Sequence, residues 1–126
     1  ELEVFTKALE EVVNLSFEVF KTGDMNRALM VEPLEDAIDE LQVEIKKRHI
    51  KRLRKGKCTI EMGFILSDIV TSFERVSDHC SNIALSLFQV NEDDFEAHEY
   101  INKLKKSKDA TFEDYFNMYQ NKYMLP

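Results

Sequence analysis

Two pairs of carboxylates set four residues apart are the positions in this 126-residue sequence best suited to chemistry. Glu74 and Asp78 stand in the stretch Phe73-Glu74-Arg75-Val76-Ser77-Asp78-His79-Cys80-Ser81-Asn82-Ile83-Ala84, with Asn82 one further turn along. Glu35 and Asp39 repeat the spacing in Pro33-Leu34-Glu35-Asp36-Ala37-Ile38-Asp39-Glu40-Leu41. On a helix, residues four apart share a stripe, so each acid pair repels itself by roughly a few tenths of a kcal/mol. A hard cation would make such an arrangement useful, because it needs several oxygen ligands and can take carboxylates from two rods. Acids also decorate solvated helix faces, and Glu32 and Asp36 satisfy the same spacing by chance.

The elements that must position these acids are helices. At about 100° per residue, Ile69, Phe73, Val76, Cys80, Ile83 and Leu87 form one apolar face, with Glu74, Asp78 and Asn82 opposite. That helix is expected over 59–90, with Thr59 as its cap and Glu61 suited to its positive end. Upstream, Phe5, Leu9, Val12, Ser16 and Phe20, broadened by Val13 and Phe17, mark a first helix over 1–22. Thr22-Gly23-Asp24 ends it, through a left-handed Gly and a fresh capping Asp. A second run over 25–55 has Leu34, Ile38, Leu41 and Ile45 as its core face, and Pro33 kinks it or divides it into a short and a long helix. Lys55-Gly56-Lys57 is its stop. Shorter helices are expected over 94–106 and 111–123. Three long helices joined by short turns predict an all-α antiparallel bundle in a single domain, with the shorter helices packed back on it.

Composition sets limits. Three Gly, two Pro and no Trp argue against a turn-rich β protein. A formal net charge of -7 disfavours general nucleic-acid binding, which needs a basic surface. No apolar run approaches the roughly 18–20 residues that cross a bilayer. The first residue is Glu, so the chain reads as a fragment of a larger protein. No Glu-x-x-His occurs, which counts against a ferritin-like di-iron oxidase. Gly-rich phosphate loops, nucleophile elbows and C-x-x-C groupings are absent as well.

The two E-x-x-x-D pairs, the second within E-R-x-x-D-H-x-x-N-I-A, resemble the PhoU family. Arg48-His49-Ile50-Lys51-Arg52-Leu53, Lys55-Gly56-Lys57-Cys58, Gly63 and Asp68 resemble one branch of it, the cytoplasmic PhoU-like domain at the C-terminus of bacterial Na/Pi-cotransporter proteins. The tail, from His98-Glu99-Tyr100 through Phe112-Glu113 to Tyr119 and Tyr123, is similar to the end of those chains. The resemblance implies a non-catalytic regulatory domain of a sodium-dependent phosphate transporter at the cytoplasmic face of the inner membrane. Its partner would be the membrane-spanning transporter domain of the same chain. A free-standing phosphate-signalling adaptor, docking onto a transporter and a sensor kinase, is the alternative. The family's pattern further implies divalent metal, iron or zinc or another ion, on Glu35, Asp39, Glu74 and Asp78. Asp68, on a different side of its helix from Glu74, is the lesser candidate. Bridging metal on an exposed acidic stripe would also support a homodimer.

A basic block, Lys46, Lys47, Arg48, Lys51, Arg52, Arg54, Lys55 and Lys57, holds eight of the seventeen Lys and Arg residues with no acid among them. Part of it complements a helix C-terminus, and a solvated helix end accounts for such a run. The surplus suits anionic lipid headgroups or acidic loops of a partner. His79 is expected on a helix flank, and Cys58 and Cys80 as unoxidised structural thiols. Phe112, Tyr115, Phe116, Tyr119 and Tyr123 are core filler, or with Leu104 a contact surface.

Overall fold

The computed structural model describes residues 1–91 and 110–126. Its helices are α1 (Leu2–Thr22), α2 (Met25–Ala28), α3 (Val31–Arg54), α4 (Ile60–Asn91) and α5 (Ala110–Lys122). Among the described residues the fold is all-α, a helical bundle as expected. The helix expected over 94–106, together with Leu104 and His98, lies outside the described residues.

The boundaries follow from local chemistry. Gly23 takes a left-handed φ of 69° and donates its N–H to the Val19 carbonyl, closing α1. The Asp24 carboxylate accepts from the N–H groups of Asn26 and Arg27 at 3.0 and 3.3 Å, opening α2. The expected run over 25–55 divides at Leu29 and Met30, ahead of Pro33. Pro33 therefore sits in the first turn of α3, where a missing N–H leaves no helical bond unmade. Gly56, at φ 65°, ends that helix, with the Lys57 N–H reaching back to the Arg52 carbonyl at 2.9 Å. The Thr59 hydroxyl accepts from the Met62 N–H at 3.2 Å and caps α4 as its sequence suggests.

Contacts along the rods fix their directions. The rings of Phe5 and Phe73 lie 5.3 Å apart and the Ser16 hydroxyl donates to the Cys80 carbonyl, so α1 and α4 run parallel. The Gln42 amide donates to Glu74, and Ser81 donates to Glu32, so α3 runs antiparallel to α4. Arg52 meets Glu1 at 2.9 Å, which sets α3 antiparallel to α1. Helix α5 packs on α3 and runs parallel to it. Gln120 meets Glu40, and Arg48 donates to the Pro126 carbonyl at 2.6 Å.

The core is Phe5, Ala8, Val12, Leu15 and Val19 of α1, with Leu34, Ile38 and Ile45 of α3, Val70, Cys80 and Ala84 of α4, and Tyr119 of α5. The α3 face matches its sequence pattern. Two other faces are rotated from expectation. On α1, Phe17 and Phe20 are 68% and 66% exposed, and Ala8, Leu15 and Val19 take the buried stripe. On α4, Val76 and Ile83 are each 40% exposed, while Ser77 and Ser81 are buried. The reason is that α4 packs against both α1 and α3. The face it gives to α3 meets Glu32 and Gln42, so it is built from small and polar side chains. Glu74 consequently turns towards α3 instead of lying opposite the core.

Candidate functional site

The seam between α3 and α4 is where the chain gathers its polar chemistry. Glu32, Glu35 and Gln42 are buried on the α3 side, and Ser77 and Ser81 on the α4 side. A register of three and four residues puts Glu32, Glu35 and Asp36 on one stripe. One oxygen from each lies within 4.8 Å of the others. Among the described residues no other set of three such side chains comes together this way. Ser81, reaching from α4, donates to Glu32 and fixes one member of the group.

The expected ligands are distributed unevenly. Glu35 is 9% exposed and belongs to the gathered group. Asp39, one turn further along α3, is half-buried but outside it. Glu74 is half-buried and accepts from the Gln42 amide at 2.9 Å. Asp78 and Asp68 are both exposed. The pair treated as a chance match, Glu32 and Asp36, supplies two of the three clustered carboxylates. Its signal in the sequence is the overlap of three- and four-residue spacings at 32, 35 and 36, which a search for isolated E-x-x-x-D pairs passes over. Gln42, Ser77 and Ser81 carried no signal at all, since their roles depend on contacts between helices.

The basic block forms the other end of α3. Arg48 and Arg52 turn inward: both reach Glu1, at 3.7 and 2.9 Å, and Arg48 also pairs with Glu44 at 3.0 Å. That hydrogen bond from Arg48 holds the Glu44 carboxyl below its usual range. Lys46, Lys47, Lys51, Arg54, Lys55 and Lys57 are exposed. Beneath them His49 is 9% exposed, its Nδ1 3.7 Å from the Cys58 sulfur. Gly63 makes room for that ring, since a Cβ there would come within 2.6 Å of His49 Nε2. His79 is exposed. Both thiols are free, Cys80 buried and Cys58 half-buried. Burial pushes the Cys80 thiol up from its ordinary value.

A third feature is apolar. Val13, Phe17 and Phe20 of α1 and Ile83, Leu87 and Val90 of α4 line an open groove of about 490 Å³. Of these, Val13, Phe17, Phe20 and Ile83 belong to the apolar faces read from the sequence, and the fold leaves them exposed. The tail aromatics divide in the opposite sense: Tyr119 and Tyr123 are buried, and Phe112, Tyr115 and Phe116 half-buried.

Taken together, these features define an all-α bundle with a carboxylate group on one inter-helix seam and a cationic end beyond it. No described helix is long and apolar enough to cross a membrane. The chain belongs to the PhoU domain family, whose pattern its residues 4–87 match. It is similar to the phosphate-specific transport system accessory protein PhoU homolog 1 of Thermotoga maritima, with 30% identity over 73 residues. That alignment covers 58% of this chain and 32% of the Thermotoga protein, so the chain spans about a third of its relative's length. No solved structure matches the chain significantly.

Proposed function

We propose that this chain is a non-catalytic regulatory domain that adjusts phosphate transport to phosphate supply. The match of residues 4–87 to the PhoU domain family carries the reading. The Thermotoga relative, named as an accessory protein of a phosphate-specific transport system, supports it. The motifs around Arg48–Cys58, Gly63 and Asp68 favour a finer version, in which the domain is fused to a sodium-dependent phosphate transporter and sits at the cytoplasmic face of the inner membrane. Such a domain biases its transporter only if it binds the transporter's conformations with different affinity. The relative's designation as an accessory protein favours the second version, a free-standing adaptor. Transmembrane helices encoded immediately upstream of Glu1 separate the two. The test of the shared reading is phosphate uptake in the host after deletion of the segment encoding this domain. Uptake that no longer changes between phosphate-rich and phosphate-poor growth is the expected result. Unaltered control of uptake refutes it.

The acids fit a divalent cation by the chemistry of their donors. Three carboxylates with oxygens inside 4.8 Å can converge on one hard or borderline ion such as iron or zinc. On this reading Glu32, Glu35 and Asp36 hold it, in place of the cross-helix set Glu35, Asp39, Glu74 and Asp78. Metal content by plasma mass spectrometry, on protein purified without chelator, distinguishes them. Loss in Glu32→Gln/Asp36→Asn with retention in Glu74→Gln/Asp78→Asn supports the single-helix group, and the reverse supports the cross-helix set. A wild-type protein that is empty and takes up no added metal refutes both.

A further inference from the structure

The cationic end of the bundle has a second property that charge alone does not explain. Gly63 lies against His49, so the first turns of α4 run alongside the last turns of α3. Those turns of α4 expose Ile60 (69%), Phe64 (70%), Met62 and Ile65, and α3 exposes Ile50 among its lysines. Six exposed cations, Lys46, Lys47, Lys51, Arg54, Lys55 and Lys57, stand on the last turns of α3 and just beyond them, at the same end of the bundle. None of the six makes a salt bridge among the described residues, whereas Arg48 and Arg52 are committed to Glu1 and Glu44. In a chain of net charge -7, one end therefore combines unpaired cations with large aliphatic and aromatic side chains in water. Nucleic acid would use the charges and leave the aliphatic groups without a partner. An acidic protein segment bound by ion pairs would do the same. A lipid surface uses both, with headgroups meeting the ammonium and guanidinium groups and the acyl boundary taking Ile60 and Phe64.

We propose that this end of the bundle docks on an anionic lipid surface, with the six cations over the headgroups and Ile60, Phe64 and Ile50 entering the interface. Exposed apolar groups and cations together suffice for it, so it does not depend on the regulatory role. Glu1 lies at the same end, paired with Arg48 and Arg52. Docking there thus brings the start of the chain to the bilayer.

Co-sedimentation of the chain with vesicles of phosphatidylcholine, alone and with phosphatidylglycerol added, tests the proposal. Binding is expected only to the anionic vesicles, and should fall as salt is raised. Each cation near such a surface is worth about a fivefold change in partition, so Lys46→Gln/Lys51→Gln/Arg54→Gln should bind about a hundredfold more weakly. Ile60→Ser/Phe64→Ser should lose about tenfold or more. All five side chains are exposed, and thermal melts of both variants are expected to match wild type, which separates lost docking from lost fold. Several results would overturn the proposal. Among them are no binding to anionic vesicles, equal binding to neutral ones, and full binding by the triple cation variant. Binding that the apolar variant leaves intact identifies a purely ionic surface of the kind an acidic protein uses. Binding abolished by inorganic phosphate, but not by chloride at matched ionic strength, identifies a site for the free anion.

Discussion

Gly63→Ala is the substitution that most directly tests how α3 and α4 come together. Two effects of opposite sign meet at that position. In a helix interior, alanine is favoured over glycine by about 1 kcal/mol, because glycine has more backbone freedom to lose. Against this, the new Cβ would stand 2.6 Å from His49 Nε2 and 3.4 Å from Cε1. The ring is 9% exposed and held from its other side by Cys58, so it cannot simply swing into solvent. Overpacking of this kind costs about 1–3 kcal/mol. The net expectation runs from no change to a loss of about 2 kcal/mol. At this chain length, each kcal/mol moves the melting midpoint by about a few °C.

The informative measurement is a double-mutant cycle with His49→Ala, read by urea or thermal melts. With the ring removed, the three contacts nearest the new Cβ disappear, and Gly63→Ala should stabilise by about 1 kcal/mol. The sign of the same substitution thus reverses between the two backgrounds, with a coupling of about 1–3 kcal/mol. Equal stabilisation by Gly63→Ala with and without His49 would refute the packing. It would also undo the register that brings Gln42 to Glu74 and Glu32 to Ser81.

Two buried tyrosines near Glu11 should respond oppositely to loss of their hydroxyls. The Tyr119 hydroxyl has no hydrogen-bond partner among the described residues, so Tyr119→Phe should stabilise by about 1 kcal/mol. Tyr123 donates to the Glu11 carboxylate, and Tyr123→Phe should cost about 1.5–3 kcal/mol in the same melts. Burial, reinforced by Glu11, pushes the Tyr119 phenol up to about 12. The unfolded chain then releases its proton first, near pH 10. The stability this contributes is intact below that pH and lost as pH rises towards about 12, and Tyr119→Phe should flatten the slope. Phe5→Ala, in the core, should cost about 3–5 kcal/mol, whereas Phe20→Ser on the open groove should change stability by less than about 1. Only Cys58 should react with a thiol reagent in the folded protein, with Cys80 reacting after denaturation.

The fold was legible because its signals are local. Gly23 with Asp24 and Gly56 with Thr59 punctuate the chain at positions that need a left-handed residue or a side-chain acceptor. Between them the apolar period of α3 leaves one face to bury. The faces of α1 and α4 were harder because both helices carry apolar residues around more than half of their circumference. Periodicity then finds the centre of a wide stripe, which on α1 includes Phe17 and Phe20. Packing chooses an edge of it, and small residues such as Ala8, Ser77 and Ser81 mark that edge without contributing hydrophobicity. The site suffered from the same limit. Glu32, Glu35, Asp36 and Asp39 offer overlapping pairs of equal spacing, and Ser81, forty-nine positions from Glu32 along the chain, orients one of those acids. No local pattern encodes that contact.

Helix α3 carries acids at its start and bases at its end, the order that its macrodipole favours. The dipole explains the sign of each end but not the amount of charge. Its influence fades within a turn, and only Glu32 lies in the first turn and Lys51, Arg52 and Arg54 in the last. Glu35, Asp36, Lys46 and Lys47 fall outside its reach, and Lys55 and Lys57 lie beyond the helix. On the readings proposed above, a cation at one end and an anionic surface at the other would balance that surplus. At 1.5 Å per residue the two ends stand roughly 25–30 Å apart, several screening lengths in physiological salt. Direct electrostatic coupling between them is negligible at that separation. If both are occupied, the rod itself must carry the coupling. Helix α3 is clamped by α1 and α4 along its core face and by α5 on another, an arrangement that favours motion of the bundle as a body over local rearrangement of either end.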